Sequence, residues 1–120
     1  MKKAIRIISF KKRDDPSLPL FKELNILPLK SSYLLKQAKF MWKLNNGFLP
    51  RGIASNFHPH STNIGLRSRY SISHARLQCS RKHITHAGPL LWQKIPTEIK
   101  NVKFLKSFSI KLKKHLINLL

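Results

Sequence analysis

The chain has 120 residues, 42% of them hydrophobic, with one cysteine and 24 Lys and Arg against four Asp and Glu, a formal net charge of +20. That length allows one small domain or part of a larger protein, and about two-thirds of the unfolded surface can be buried. A single thiol excludes an internal disulfide framework, no apolar run nears the ~18 residues of a membrane span, and so cationic a surface repels itself unless an anion covers it. Nucleic acid is the commonest covering polyanion, ahead of a membrane surface or an acidic chain. A nuclear or cytoplasmic setting fits this usage better than secretion.

In chain order, Lys2 to Phe10 reads as a helix. Ala4, Ile5 and Ile8 share a face, while the β-branched Ile7 falls off it and keeps a strand open. The opening "MKKAIRIISFKKR" is basic and apolar like a transit peptide, but it lacks the Ser-rich character and an evident cleavage site. At "RDDPS", Asp14 and Asp15 have no further carboxylate nearby to complete a two-metal site. Asp15 before Pro16 is instead expected to cap a short helix, Leu18 to Leu24, with Leu20, Phe21 and Leu24 inward.

A longer helix should be capped by Ser31 or Ser32 and stop at Asn46-Gly47. Leu34, Ala38, Met41 and Trp42 make one apolar stripe, widened by Tyr33, Phe40 and Leu44, with Lys36, Lys39 and Lys43 on a narrow opposite strip. From Phe48 to about Lys82 periodicity disappears, and Pro50, Gly52, Pro59 and Gly65 mark a loop. Arg67, Arg69, Arg76, Arg81 and Lys82 crowd its second half. Weak alternation in "YSISHARLQ" and "RKHITHA" leaves one short β-hairpin open there.

Gly88 permits a bend, Pro89 is expected to start a short helix with Trp92 facing the core, and Pro96 to end it and start the next, with Glu98 in a favourable first turn. The last helix carries Phe104, Leu105, Phe108, Leu112, Leu116 and Leu119 in one arc, with Lys103, Lys106, Lys111, Lys113 and Lys114 on the other side. Ile110 and Ile117 fall among the lysines. Docking on the core is the expected fate of this helix, ahead of lying on an anionic membrane or pairing with a partner. The fold class is therefore mainly α, a small helical domain divided into 1–47, a basic irregular region over 48–82, and 83–120.

His58-x-His60 and Cys79-x3-His83-x2-His86 contain metal-ligand types, but one thiol and no C-x2-C argue against structural zinc. Cys79 with His83 lacks an orienting carboxylate in sequence for nucleophilic work. No phosphate loop, nucleophile elbow or zinc-protease motif is present, so no metal, cofactor or small-molecule substrate is expected in this chain. The basic residues carry the functional signal. Interleaved with Tyr70, His74 and His83, they suit phosphate contacts with occasional base stacking.

Five segments, in order, resemble a known family: "KKAIRII" at Lys2 to Ile8, "LFKELNIL" at Leu20 to Leu27, "FMWK" at Phe40 to Lys43, "GPLLWQKIPTEIKN" at Gly88 to Asn101, and "FLKSFSIKLKKHLI" at Phe104 to Ile117. Their order and spacing are similar to the C-terminal end of reverse transcriptases of jockey-like non-LTR retrotransposons. The resemblance implies a helical region at or after the thumb, helping to hold template RNA and primer DNA beside the rest of the polymerase. It implies no catalysis here, because the metal-holding aspartates of the palm, and hence its magnesium, belong elsewhere. Lys2, Lys3 and Arg6 match the family's basic helix, Arg67 or Arg69 its loop arginine, and Trp92, Pro96 and Phe108 its packing signature. Gln93 departs from the usual Asn. Met1 stands where the family helix continues, so a fragment or an orphan reading frame is expected. The competing expectations are an autonomous RNA- or DNA-binding module, a membrane-surface peptide acting through Phe104 to Leu120, and a translated remnant without function.

Overall fold

The computed structural model describes residues 2–57 and 75–120, and these are mainly helical with no strand among them. The helices are α1 (Lys2–Ile8), α2 (Leu18–Glu23), α3 (Leu29–Asn45), α4 (Arg51–Ala54), α5 (Gln78–Lys82), α6 (Ile84–Lys94), α7 (Thr97–Lys100) and α8 (Leu105–Asn118). α3 packs against α6 and α8. α5 lies on α6, α7 on α8, and α2 touches both α1 and α8.

The core is organised around three rings, one from each long helix. Phe108 of α8 is fully buried, with its ring centroid 6.1 Å from Trp42 of α3 and 6.2 Å from Trp92 of α6. Tilted aromatic pairs at this separation add to the gain from area alone. Ala38, Met41, Ile95, Ile99, Leu112 and Leu116 surround them. The Trp42 indole N–H is removed from water but satisfied, donating to the Val102 carbonyl at 3.0 Å. A second, smaller cluster joins Ile5, Leu20 and Phe21, with Leu120 against it at the far end of α8.

Three helices end in the same way. Phe10, Asn25 and Gly47 have φ of 53°, 54° and 77°. Each is followed by a residue whose N–H reaches back five positions: Lys11 to Arg6 at 2.9 Å, Ile26 to Phe21 at 3.0 Å, and Phe48 to Lys43 at 2.9 Å. With the companion bonds from Phe10 to Ile7, Asn25 to Lys22 and Gly47 to Leu44, these are three Schellman caps. The expected stop at Asn46-Gly47 is the third of them.

The structure corrects several local expectations. α2 starts at Leu18 as expected, but behind Ser17 with Pro19 in its first turn; Asp15 does not cap it, and its carboxylate accepts the Lys12 N–H at 3.1 Å. α3 starts at Leu29, two residues before the expected serines, since Pro28 leads the chain in and its carbonyl already accepts the Ser32 N–H at 2.9 Å. The hairpin does not form in its described part: Arg81 and Lys82 close α5, and Ile84 to Ala87 open α6. His83 caps that helix by accepting the Thr85 N–H, and Ile84 and Leu91 then recur at helical spacing against the core. Residues 70–74 of the hairpin lie outside the described residues.

Pro89 stands inside α6 rather than at its start, and Gly88 is not a bend. A Cβ on Gly88 would lie 2.7 Å from the Met41 sulfur, so the glycine lets α6 approach α3. The break comes at Ile95-Pro96, with Pro96 leading into α7 and Glu98 in its first turn as expected. The expected face of α8 is shifted: Ile117 is buried while Phe104 and Leu119 are exposed. Ile117 joins Leu112 and Leu116 in the main core, so the buried arc is wider than a simple wheel allows. Leu105, Phe108, Leu112 and Leu116 of the expected arc are taken up by the core, as docking requires.

Candidate nucleic-acid interface

Every described lysine and arginine is at least partly exposed. With 24 cations to four carboxylates, internal pairing can neutralise only a small part of the charge. The most ordered basic surface lies on α3. Tyr33, Lys36, Phe40 and Lys43 follow spacings of three, four and three, so they fall on one line along the helix, about 15 Å long. Tyr33 is 56% exposed, Lys36 and Lys43 are exposed, and Phe40 is half-buried against Phe57. Expected to widen the apolar stripe, Tyr33 instead stands on the solvent side. Gln37 takes a buried place that the stripe did not predict. Neither α3 nor α8 contains an acidic residue.

The expected contact residues are not brought to one groove. Lys2 and Lys3 are exposed on α1, which packs on α2. Arg6 is half-buried, its Nε donating to the Asp15 carbonyl at 2.8 Å, which binds α1 to the turn ahead of α2. Lys36 and Lys43 share the α3 ridge, and Lys39 is half-buried at its edge. Arg76 is exposed ahead of α5. Arg81 Nε donates to the Ala75 carbonyl at 3.2 Å, folding that segment on itself, and Lys82 is exposed at the end of α5. Arg67, Arg69, Tyr70 and His74 lie outside the described residues, as do His58 and His60.

Part of this placement has a plain structural cause. Arg6, Lys22, Lys43, Arg81, Lys82, Lys94 and Lys100 all sit in the last turn of a helix, where positive charge meets the negative end of the helix dipole. Lys36, in the middle of α3, has no such reason. Lys106, Lys111 and Lys114 of α8 are exposed as well and were outside the expected contact set. Their signal was present in the helical period, which put them opposite the apolar arc.

Lys100 differs from the other cations. Its Nζ lies 5.4 Å from the centre of the Trp92 ring, and burial lowers its pKa below the usual lysine value of 10.5. The ring face returns some of the solvation lost on burial. Among the described residues, no three His, Cys, Asp or Glu side chains gather as metal ligands. Cys79 is exposed on α5, and His83 serves as the cap of α6. Among the described residues no helix is long and apolar enough to cross a membrane. What the geometry offers is two exposed lysines, Lys36 and Lys43, alternating with Tyr33 and the half-buried Phe40 along one line of α3. Compared with protein-family models, with curated proteins and with solved structures, the chain matches none.

Proposed function

We propose that this chain is the C-terminal, thumb or post-thumb region of a jockey-like non-LTR retrotransposon reverse transcriptase, holding nucleic acid without the catalytic palm. The observation that carries the reading is the order of five segments. Their apolar residues are also the ones that meet: Trp42 of "FMWK", Trp92, Ile95 and Ile99 of the Gly-Pro-Trp segment, and Phe108 and Leu112 of the last segment share one core, with Leu27 at its edge. Ile5 of the first segment and Leu20 and Phe21 of the second share the other. Residues that fold against each other are a coherent unit to be retained together. In this reading the α3 ridge, Lys36 and Lys43 above all, contacts the template or primer backbone.

The purified chain should bind primer–template and give no extension when dNTPs and magnesium are added. Contacts to six to ten phosphates make the affinity fall about 10³- to 10⁵-fold between low and moderate salt. Primer extension by this chain, or binding without a salt slope, refutes the proposal. The origin is tested separately by the DNA upstream of the reading frame, which should encode, intact or broken, an apolar stretch ending in Asp-Asp.

A second reading, an autonomous RNA- or DNA-binding module, is favoured by the three-ring core, in which all three long helices meet. The same upstream DNA separates the two.

A further inference from the structure

α1 spends only one side chain on the interior. Ile5 is buried, whereas Ile7 is 74% exposed, Ile8 61% and Phe10 98%. The helical period places Ala4, Ile7 and Ile8 on adjoining positions, and Phe10 follows in the cap. Phe10 occupies the left-handed cap position where glycine is usual, because a Cβ crowds the backbone there. Asn25 and Gly47, at the same place in the other two caps, are residue types that tolerate it. A phenylalanine that makes the turn harder and buries nothing is best explained by something outside the chain. Directly after it come Lys11, Lys12 and Arg13, all exposed.

We propose that Ile7, Ile8 and Phe10 insert into the surface of an anionic lipid bilayer, with Lys11, Lys12 and Arg13 on the headgroups. Three features select this occupant. The side chains stand proud of the fold, and a bilayer receives protruding groups without a matching pocket. Two of the three are aliphatic, which suits hydrocarbon and offers no ring to stack on a base. The flanking charge is net positive, with Lys2, Lys3, Lys11, Lys12 and Arg13 exposed against Asp14 and Asp15, which complements anionic headgroups. The anchor is spatially separate from the α3 ridge, which belongs to the other core cluster, although Lys2, Lys3 and Arg6 of the expected contact set share α1 with it.

The test uses the full chain and sedimented vesicles of phosphatidylcholine alone or mixed with phosphatidylserine, at physiological ionic strength. Binding is expected only to the mixed vesicles. Phe10→Gly should weaken it about tenfold or more, the loss expected on withdrawing one large apolar side chain. Its thermal melt reports that the fold is kept. Phe10→Trp should show a blue-shifted emission on the mixed vesicles, over the signal of buried Trp42 and Trp92. Equal binding by wild type and Phe10→Gly overturns the proposal, because charge alone would then account for adsorption. So does a Phe10→Trp emission that vesicles do not move. Loss of RNA affinity in Phe10→Gly with vesicle binding unchanged also overturns it, and assigns the side chain to nucleic acid.

Discussion

Gly88 of α6 faces Met41 of α3 so closely that an added Cβ would stand 2.7 Å from the methionine sulfur, and Met41 is fully buried. The helix pair is therefore set by an absent side chain. Gly88→Ala gains about 1 kcal/mol of helix propensity but must displace a sulfur with nowhere to go, an overpacking that costs about 1–3 kcal/mol. A net loss of stability is expected in urea melts. Met41→Ala alone should cost about 2–5 kcal/mol, and the double variant less than the two singles summed, since the new methyl fills part of the cavity. Strict additivity would show that the two residues do not meet.

The three Schellman caps give a prediction of opposite signs. Phe10→Gly removes a left-handed strain of about 1–2 kcal/mol and gives up no burial, so the free protein should melt higher. Gly47→Ala introduces that strain and should melt lower by a similar amount. Asn25→Gly should lie near zero, because asparagine already accepts the conformation. Differential scanning calorimetry of the three variants reads this directly. A Phe10→Gly protein less stable than wild type would mean that Phe10 is buried after all.

Phe108 is the ring that both tryptophans touch. Phe108→Ala should cost about 3–5 kcal/mol, a large share of the ~5–15 kcal/mol that hold a domain together. Near-UV circular dichroism from the two tryptophans should collapse while much of the far-UV helix signal persists. Trp42→Phe is milder. It leaves the Val102 carbonyl without its donor and should cost about 1–3 kcal/mol.

Lys100 sets a pH dependence. Its pKa is lowered in the folded chain by burial but ordinary in the unfolded one. Between the two values the unfolded state binds more protons, so stability rises with pH as it climbs through the lowered pKa toward 10.5. Lys100→Met lacks this term. The melting-temperature difference, wild type minus variant, should grow as the pH rises toward 10.5. Parallel curves would show that the ammonium stays fully solvated.

On the α3 ridge, Lys36→Gln with Lys43→Gln should weaken nucleic-acid binding and reduce the slope of log K against log salt by about 1.4 to 1.8, the share of two phosphate contacts. Thermal stability should hardly change, since both side chains are exposed. An unchanged slope would place the contact elsewhere.

The helical period alone made most of the architecture legible. It located α3 and α8, put Trp42 and Phe108 inside, and separated lysines from apolar arcs, because one-sided burial writes itself into spacing. It failed where tertiary contacts widen or redirect a face. Ile117 falls among the lysines on the wheel, yet it joins Leu112 and Leu116 in the main core. Asp15 looked like a cap because the dipeptide with Pro16 is a common one, but its carboxylate had a nearer N–H to accept. Tyr33 reads as inward on hydrophobicity alone, but the buried face of α3 is turned toward Gln37 and away from it.

The candidate contact set was legible only as composition. Charge says that an anion is wanted, not where, since cations need no neighbours to stay exposed. Amino-acid order by itself determined a mainly helical chain with a strong positive field and an aromatic interior, since period and charge are local properties. Only the tertiary structure decided that Gly88 admits Met41, that Trp42, Phe108 and Trp92 converge, and that Ile7, Ile8 and Phe10 remain outside. These are choices between surfaces far apart in sequence, and they are settled by which pairs pack without voids.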